Sequence, residues 1–182
     1  MKKWFSGLIL IFFTYNSCVA QRTKNQSGRK NIIKLNPLGI IPVRDIQSTL
    51  ISYERVLNTN SSIQLNTIFN YINFVSLIKH VGGGLEFRRY IFPGNVAPQG
   101  VYGGAGIAVG TEKFKDRGDF YSSISREFSL KLIVGKQWIS RNGIFDVNVG
   151  LKYINRQFIH VSSSAKTTVF IPALNFGLGY NF

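Results

Sequence analysis

Phe170-Ile171-Pro172-Ala173-Leu174-Asn175-Phe176-Gly177-Leu178-Gly179-Tyr180-Asn181-Phe182 closes the chain and decides how the rest is read. Its even-numbered positions carry Phe, Pro, Leu, Phe, Leu, Tyr and Phe; its odd-numbered positions carry Ile, Ala, Asn, Gly, Gly and Asn. Strict alternation is the period of a β-strand, whose successive side chains point to opposite faces. A soluble sandwich strand places large apolar residues on its buried face and charges on its wet face. Here the second face is mainly small or polar, which suits a crowded interior and leaves the large apolar residues pointing outward.

The pattern recurs upstream. Phe145, Val147, Val149, Leu151 and Tyr153 alternate with Asp146, Asn148, Gly150 and Lys152. Phe128, Leu130, Leu132 and Val134 alternate with Ser129, Lys131, Ile133 and Gly135. Weaker versions run through Val101–Val109, Leu85–Tyr90, Ile63–Asn70, Ile51–Glu54 and Ile33–Asn36. The segments predict eight strands at about 31–41, 46–57, 61–72, 78–91, 99–111, 125–138, 143–155 and 167–182. An even number of alternating segments of about ten residues is the pattern of an antiparallel up-and-down transmembrane β-barrel. The expected fold is therefore all-β, an eight-stranded barrel over 31–182.

Connection lengths give an orientation. With both chain ends in the periplasm, the inner turns are Asn58-Thr59-Asn60, Phe92 to Pro98, and Ser140-Arg141-Asn142. The outer loops are Pro42–Asp45, Asn73–Leu77, Glu112–Ile124 and Arg156–Lys166, the last two being the longest. Tyr53, Tyr90, Phe92, Trp138, Tyr153, Tyr180 and Phe182 fall near strand ends, where aromatic rings favour the headgroup level.

The first twenty residues read as a secretory signal peptide. Lys2 and Lys3 precede the apolar run Leu8–Phe13, and Cys18-Val19-Ala20 offers small residues for a cut after Ala20. Lipidation of Cys18 is the rival reading, disfavoured by Tyr15-Asn16-Ser17 before it. Gln21–Lys30 reads as a short flexible leader. No later run is long and apolar enough for a membrane helix.

Composition narrows the classes further. The 182 residues include 45% hydrophobic and only 16% charged side chains, which excludes a disordered chain. A single cysteine excludes a disulfide scaffold and a cysteine-based zinc site. Excess Lys and Arg give a net charge of +14, lowered to +12 by removal of Lys2 and Lys3.

An eight-stranded barrel has room inside only for side chains, so a plugged interior and no channel are expected. Parity places Lys34, Glu54, Glu86, Arg88, Lys131, Asp146 and Lys152 inside. Unpaired charges there would cost several kcal/mol each, so a salt-bridged network is expected. Lys34 and Arg88 are the expected partners of Glu54, and Arg88 reaches it only across the lumen. A structural plug outweighs a proton or ion path. Gly82-Gly83-Gly84 and Gly103-Gly104, Gly106 and Gly110 relieve crowding; a nucleotide loop would need a helix after the glycines, and another strand follows.

Lys34-Leu35-Asn36-Pro37-Leu38, Ser52-Tyr53-Glu54-Arg55, Glu86-Phe87-Arg88-Arg89-Tyr90 and Pro98-Gln99-Gly100-Val101-Tyr102 resemble a family of small outer-membrane β-barrel proteins of unknown function. More broadly the chain looks like the eight-stranded OmpA/OmpX-type barrels. Gly179-Tyr180-Asn181-Phe182 resembles the C-terminal signal read by the outer-membrane assembly machinery, with Tyr180 and Phe182 as its aromatic positions. These resemblances imply an integral protein of a Gram-negative outer membrane, with outer-membrane lipids, lipopolysaccharide and the assembly machinery as partners. An unidentified protein partner also fits so small a barrel.

A second resemblance is to outer-membrane lipid A deacylases, which carry a His-x-Ser pair at a similar distance from the C-terminus. Here it is His160-Val161-Ser162. It implies a catalytic pair, Ser162 as nucleophile and His160 as base. The Asn that usually follows is Ser163, and no carboxylate occurs after Asp146 to orient the histidine. A solvated loop is therefore the preferred reading of His160–Ser164.

Other motifs carry less. Arg117-Gly118-Asp119 spells an adhesion tripeptide that arises readily by chance. Asp116 and Asp119 lack the further oxygens that calcium needs. His80 reads as loop surface. Neither metal nor cofactor is expected. Lys113, Lys115, Arg117, Arg126, Arg156 and Lys166 lie in or beside the outer loops, where they are expected to contact lipopolysaccharide phosphates. An exported barrel rarely meets nucleic acid, so the basic charge is not read as a nucleic-acid footprint. The preferred function is a non-enzymatic outer-membrane barrel with a structural or surface-interaction role. A lipid A-modifying hydrolase is the first alternative, and a soluble lipocalin-like binding barrel the second.

Overall fold

A computed structural model describes residues 30–37, 49–73, 76–91, 96–116, 122–159 and 164–182. The signal peptide expected over 1–20 and, except for Lys30, the leader expected over 21–30 lie outside the described residues, as do His160, Ser162, Arg117 and Asp119. The fold is all-β: β1 Asn31–Leu35, β2 Ile51–Asn58, β3 Ser61–Asn73, β4 Ser76–Tyr90, β5 Gly100–Asp116, β6 Ser122–Ser140, β7 Gly143–Ile159 and β8 Ser164–Asn181. Each strand pairs antiparallel with its sequence neighbour, and β1 pairs with β8, so the sheet closes into a ring. The closing pairs run from Ile32↔Asn181 to Leu35↔Leu178. The Phe182 backbone N–H donates to the Asn31 carbonyl at 2.9 Å and extends this closure to the last residue.

The connections near the chain ends form one end of the ring. Thr59–Asn60 joins β2 to β3, and Asn58 Oδ1 accepts from the Asn60 N–H at 2.9 Å. Arg141–Asn142 joins β6 to β7, with Arg141 at φ 55°. The turns are tied to neighbouring strands: the Ala97 N–H donates to the Thr59 carbonyl at 2.7 Å, and the Asn181 N–H to the Asn142 carbonyl at 2.8 Å.

At the opposite end the strands run further than alternation alone suggests. β5 extends to Asp116 and β6 begins at Ser122, with Glu112↔Ser125 and Lys113↔Ile124 in register. β7 extends to Ile159 and β8 begins at Ser164, with Gln157↔Lys166 paired. Much of the expected loops Glu112–Ile124 and Arg156–Lys166 is therefore paired strand. Hydrophobic periodicity fades there because the outward face turns from apolar to basic, while backbone pairing continues.

Large apolar residues cover the outside of the ring, and polar and ionic ones fill it. Leu132, Leu151 and Phe170 are 67%, 65% and 71% exposed. Glu54, Arg88, Gln137 and Asp146 are fully buried. Two small apolar clusters also lie inside, Tyr90–Ala97–Tyr102–Ile133 and Ile32–Ile139–Ile144.

Several glycines are required by space. At Gly150 an added Cβ would sit 1.9 Å from the Leu132 carbonyl oxygen, whereas at outward-facing Gly83 the nearest atom is 3.5 Å away. Gly150→Ala should therefore destabilise the fold by roughly 1–3 kcal/mol, the usual range for overpacking, and Gly83→Ala should leave it within about 0.5 kcal/mol. Urea midpoints of the two variants check this; equal midpoints would show that the interior is not tightly packed at Gly150.

Candidate functional site

The interior ion network is the site, and it assembles from single residues on almost every strand. Lys34 on β1 places its ammonium 2.5 Å from Glu54 on β2 and 2.7 Å from Asp146 on β7. It also donates to Gln64 on β3 at 3.0 Å and to Gln137 on β6 at 2.7 Å. Arg88 on β4 binds Asp146 and Glu86, both at 2.6 Å, and lies 3.6 Å from Glu54 across the lumen. Its guanidinium stacks 4.4 Å from the ring centroid of Tyr102 on β5. The Tyr102 hydroxyl donates to Asp146 at 2.7 Å. Glu54 also accepts from the Ser62 hydroxyl and, at 3.0 Å, from the Tyr90 hydroxyl.

β8 contributes space. Gly177 and Gly179 lie beside the Lys34 side chain, and a Cβ at Gly179 would meet Lys34 Cγ at 2.9 Å. Gly135 does the same for Tyr102, its register partner: an added Cβ would be 2.6 Å from the phenol. The small face of the strands is thus shaped around the long side chains of the network.

A second, smaller group lies farther from the turns. Lys152 and Arg156 on β7 bind Glu127 on β6 at 3.3 and 3.1 Å. Lys131 pairs with Glu86. Between the two groups is a cavity of about 40 Å³ lined in part by Asn66, Gly84, Gly106, Ser129, Lys131 and Asn148. That is room for a few waters and far below what a drug-sized ligand needs. Among the described residues no group of His, Cys, Asp and Glu is arranged to hold a metal ion.

All seven residues that parity puts inside line this interior, and Lys34 and Arg88 both reach Glu54. Glu127 was missed, although it shares parity with Ser129 and Lys131, because it lies just beyond the apolar run used to define β6. It is a fourth interior carboxylate, and it pairs with both Lys152 and Arg156. Three expectations need correction. Arg156 is not an outward lipid contact; its register partner is Glu127, and it turns inward to pair with it. Tyr90 does not join the headgroup girdle; it is 3% exposed and donates to Glu54. His80 is not loop surface but lies within β4, buried against Gly110, whose missing Cβ makes room for the imidazole. Lys113, Arg126 and Lys166 are exposed on the outward face of β5, β6 and β8. Lys115 lies in β5, and Arg117 lies outside the described residues.

No family model matches the chain, and the searches among curated proteins and among solved structures find no match either. The geometry therefore stands alone in the functional argument. The Ser62 hydroxyl donates to Glu54, whose carboxylate is also held by Lys34 and Tyr90. Lys34, Glu54, Arg88 and Asp146 are each held by several partners on different strands, an arrangement that ties strand to strand.

Removing one charge from such a network leaves the others buried without compensation. Asp146→Asn, which keeps size and loses the charge facing Lys34 and Arg88, should lower stability by about 3–5 kcal/mol. Denaturant titration of the refolded chain measures the loss. A change below about 1 kcal/mol would mean that water reaches the network.

Proposed function

We propose that the chain is an integral outer-membrane β-barrel with a plugged interior and a structural, surface-interacting role. The observation that carries this reading is the inversion of polarity: buried ions on the inner face of every ladder and exposed Leu, Val, Ile and Phe on the outer face. A water-soluble protein would gain nothing by exposing such a continuous apolar band. Phe170 to Tyr180 on β8 spans about ten residues, or roughly 33 Å of strand and about 25 Å of height at a tilt near 40°. That height matches the apolar band of outer-membrane barrels. Trp138, Phe145 and Phe176 stack at the turn end, with Trp138 and Phe145 centroids 5.3 Å apart, as an aromatic girdle would.

The polar interior argues against the lipocalin-like alternative, which needs an apolar cavity. The salt-bridged lumen supports a plug in place of a pore. On this reading the chain ends and short turns face the periplasm, and Lys113, Arg126 and Lys166 face anionic lipopolysaccharide at the other rim. Tyr180 and Phe182 serve as the assembly signal, and Phe182 is also the residue whose backbone meets Asn31 when the ring closes.

Leu132→Arg separates a membrane protein from a soluble barrel. In lipid vesicles it should cost roughly 2–4 kcal/mol, because Leu132 lies near the middle of the band, while Thr111→Arg near the rim should cost less than about 1 kcal/mol. A soluble barrel already presents Leu132 to water, so a neutral Leu132→Arg would sink the proposal. For the lipid contact, Lys113→Gln with Arg126→Gln and Lys166→Gln should lower the lipopolysaccharide retained by the purified chain; unchanged retention would remove those residues from the interface.

A further inference from the structure

Charge sign on this ring is sorted by face. Among residues whose side chains are described, Glu54, Glu86, Glu127 and Asp146 are buried inside. Half-buried Glu112 shares its register row with buried His80 and Ser125. No described acidic side chain faces outward. Every charged side chain described on the outward face is a cation, and these cations occupy both ends. Lys113, Arg126 and Lys166 bound the apolar band on the side away from the turns. Arg55, Arg89 and Lys136 bound it on the turn side, and Arg141 lies in the turn itself.

The turn-side cations are set for a particular kind of contact. Arg89 is paired with Gly103, and Gly103 with Val134, one outward step from Lys136. Arg89 on β4 and Lys136 on β6 therefore lie diagonally across β5, with Gly103 beside Arg89 and Val101 beside Lys136, two strands and one outward step or about 12 Å apart. The trough between them is shallow: an added Cβ at Gly103 would meet only Ile91 Cδ1, at 3.2 Å. Lys136 lies 5.1 Å from the Trp138 ring centroid, which ties the cation to an aromatic residue suited to the headgroup level. A neutral, zwitterionic leaflet would leave these cations facing equal numbers of opposite charges. An anionic headgroup adds a counter-charge that no described acidic side chain on the same face supplies.

We infer that the turn-side rim, centred on Arg89 and Lys136 with Arg55 two strands beyond Arg89, selects anionic phospholipid headgroups from the leaflet facing the turns. This rests on the membrane reading. The ligand class is a glycerophospholipid with net negative charge, its phosphate held over Gly103 and its acyl chains along the apolar band. Each Lys or Arg near a surface adds about fivefold to preference for anionic lipid.

Trp138 makes the rim measurable. The chain has two tryptophans, so Trp4→Phe leaves Trp138 as its only indole. The full chain with that change is refolded into vesicles of phosphatidylcholine and phosphatidylglycerol in equal parts, with one or the other carrying a spin label high on an acyl chain. The expected result is that labelled phosphatidylglycerol associates about fivefold or more better than labelled phosphatidylcholine at low salt. At 1 M salt, where screening acts within about 3 Å, the ratio should approach one. Adding Arg89→Gln and Lys136→Gln should bring it close to one at low salt, and the ratio cancels any change in intrinsic emission. Lys113→Gln with Arg126→Gln and Lys166→Gln, at the far rim, should leave it unchanged. Equal quenching by both lipids in the unsubstituted rim, or a ratio abolished only by the far-rim changes, overturns the inference while leaving the membrane reading intact. Absence of quenching by either lipid places Trp138 outside the bilayer and overturns both.

Discussion

Asp146 and Lys34 meet at 2.7 Å in the middle of a ring that has no conventional hydrophobic core. The side chains around this contact bring opposite charges and hydrogen-bond partners within reach of both groups. Arg88, Glu54, Gln64, Gln137 and Tyr102 join it from β4, β2, β3, β6 and β5, so the strands are held in register by ions as well as by ladders. Lys34 has partners on four strands, and its aliphatic stem fits only because β8 supplies glycine beside it. Desolvation of these groups is offset by mutual contact, and the price of that solution is that no member is dispensable.

The outer face follows from the inner one. Because the lumen holds the charged groups, the strands' other face can be apolar without leaving the chain devoid of polarity. Because the acidic groups are spent inside as counterions, the basic excess is displaced to the rims. A net charge of +14 with few acidic residues is then a statement about where carboxylates are needed.

Much of the architecture was legible in the sequence because period two is unambiguous where large and small residues alternate, as in β6, β7 and β8. Parity alone put Lys34, Glu54, Glu86, Arg88, Lys131, Asp146 and Lys152 in one lumen. Legibility failed where the outward residue was not apolar. Beyond Phe128 and Tyr153 the outward positions become Arg126, Asn155 and Gln157, so the apolar alternation that marks a face is lost; Glu127, though inside the expected strand 125–138, and Arg156, one residue past 143–155, were given no inward assignment. His80 was legible by the same parity, since it lies in the expected strand 78–91 on the face of Glu86 and Arg88; only the space for its ring, left by Gly110 one strand away, is beyond a local pattern. Tyr90 was claimed by two rules, parity and the aromatic girdle, and the buried carboxylate of Glu54 decided between them.

The ring is uneven in how firmly it is sewn. β6 and β7 share a ladder from Ile124↔Ile159 to Ser140↔Gly143, whereas β1 and β8 share one only from Ile32↔Asn181 to Leu35↔Leu178. The long hairpins join residues close in sequence, while the seam joins the two extremes of the sheet and bears the largest loop-closure entropy. Zippering of the C-terminal hairpins can run ahead of the final stitch, and any stress that parts the wall finds that stitch first. There, the ionic clasp of Lys34 reinforces a short backbone ladder from within.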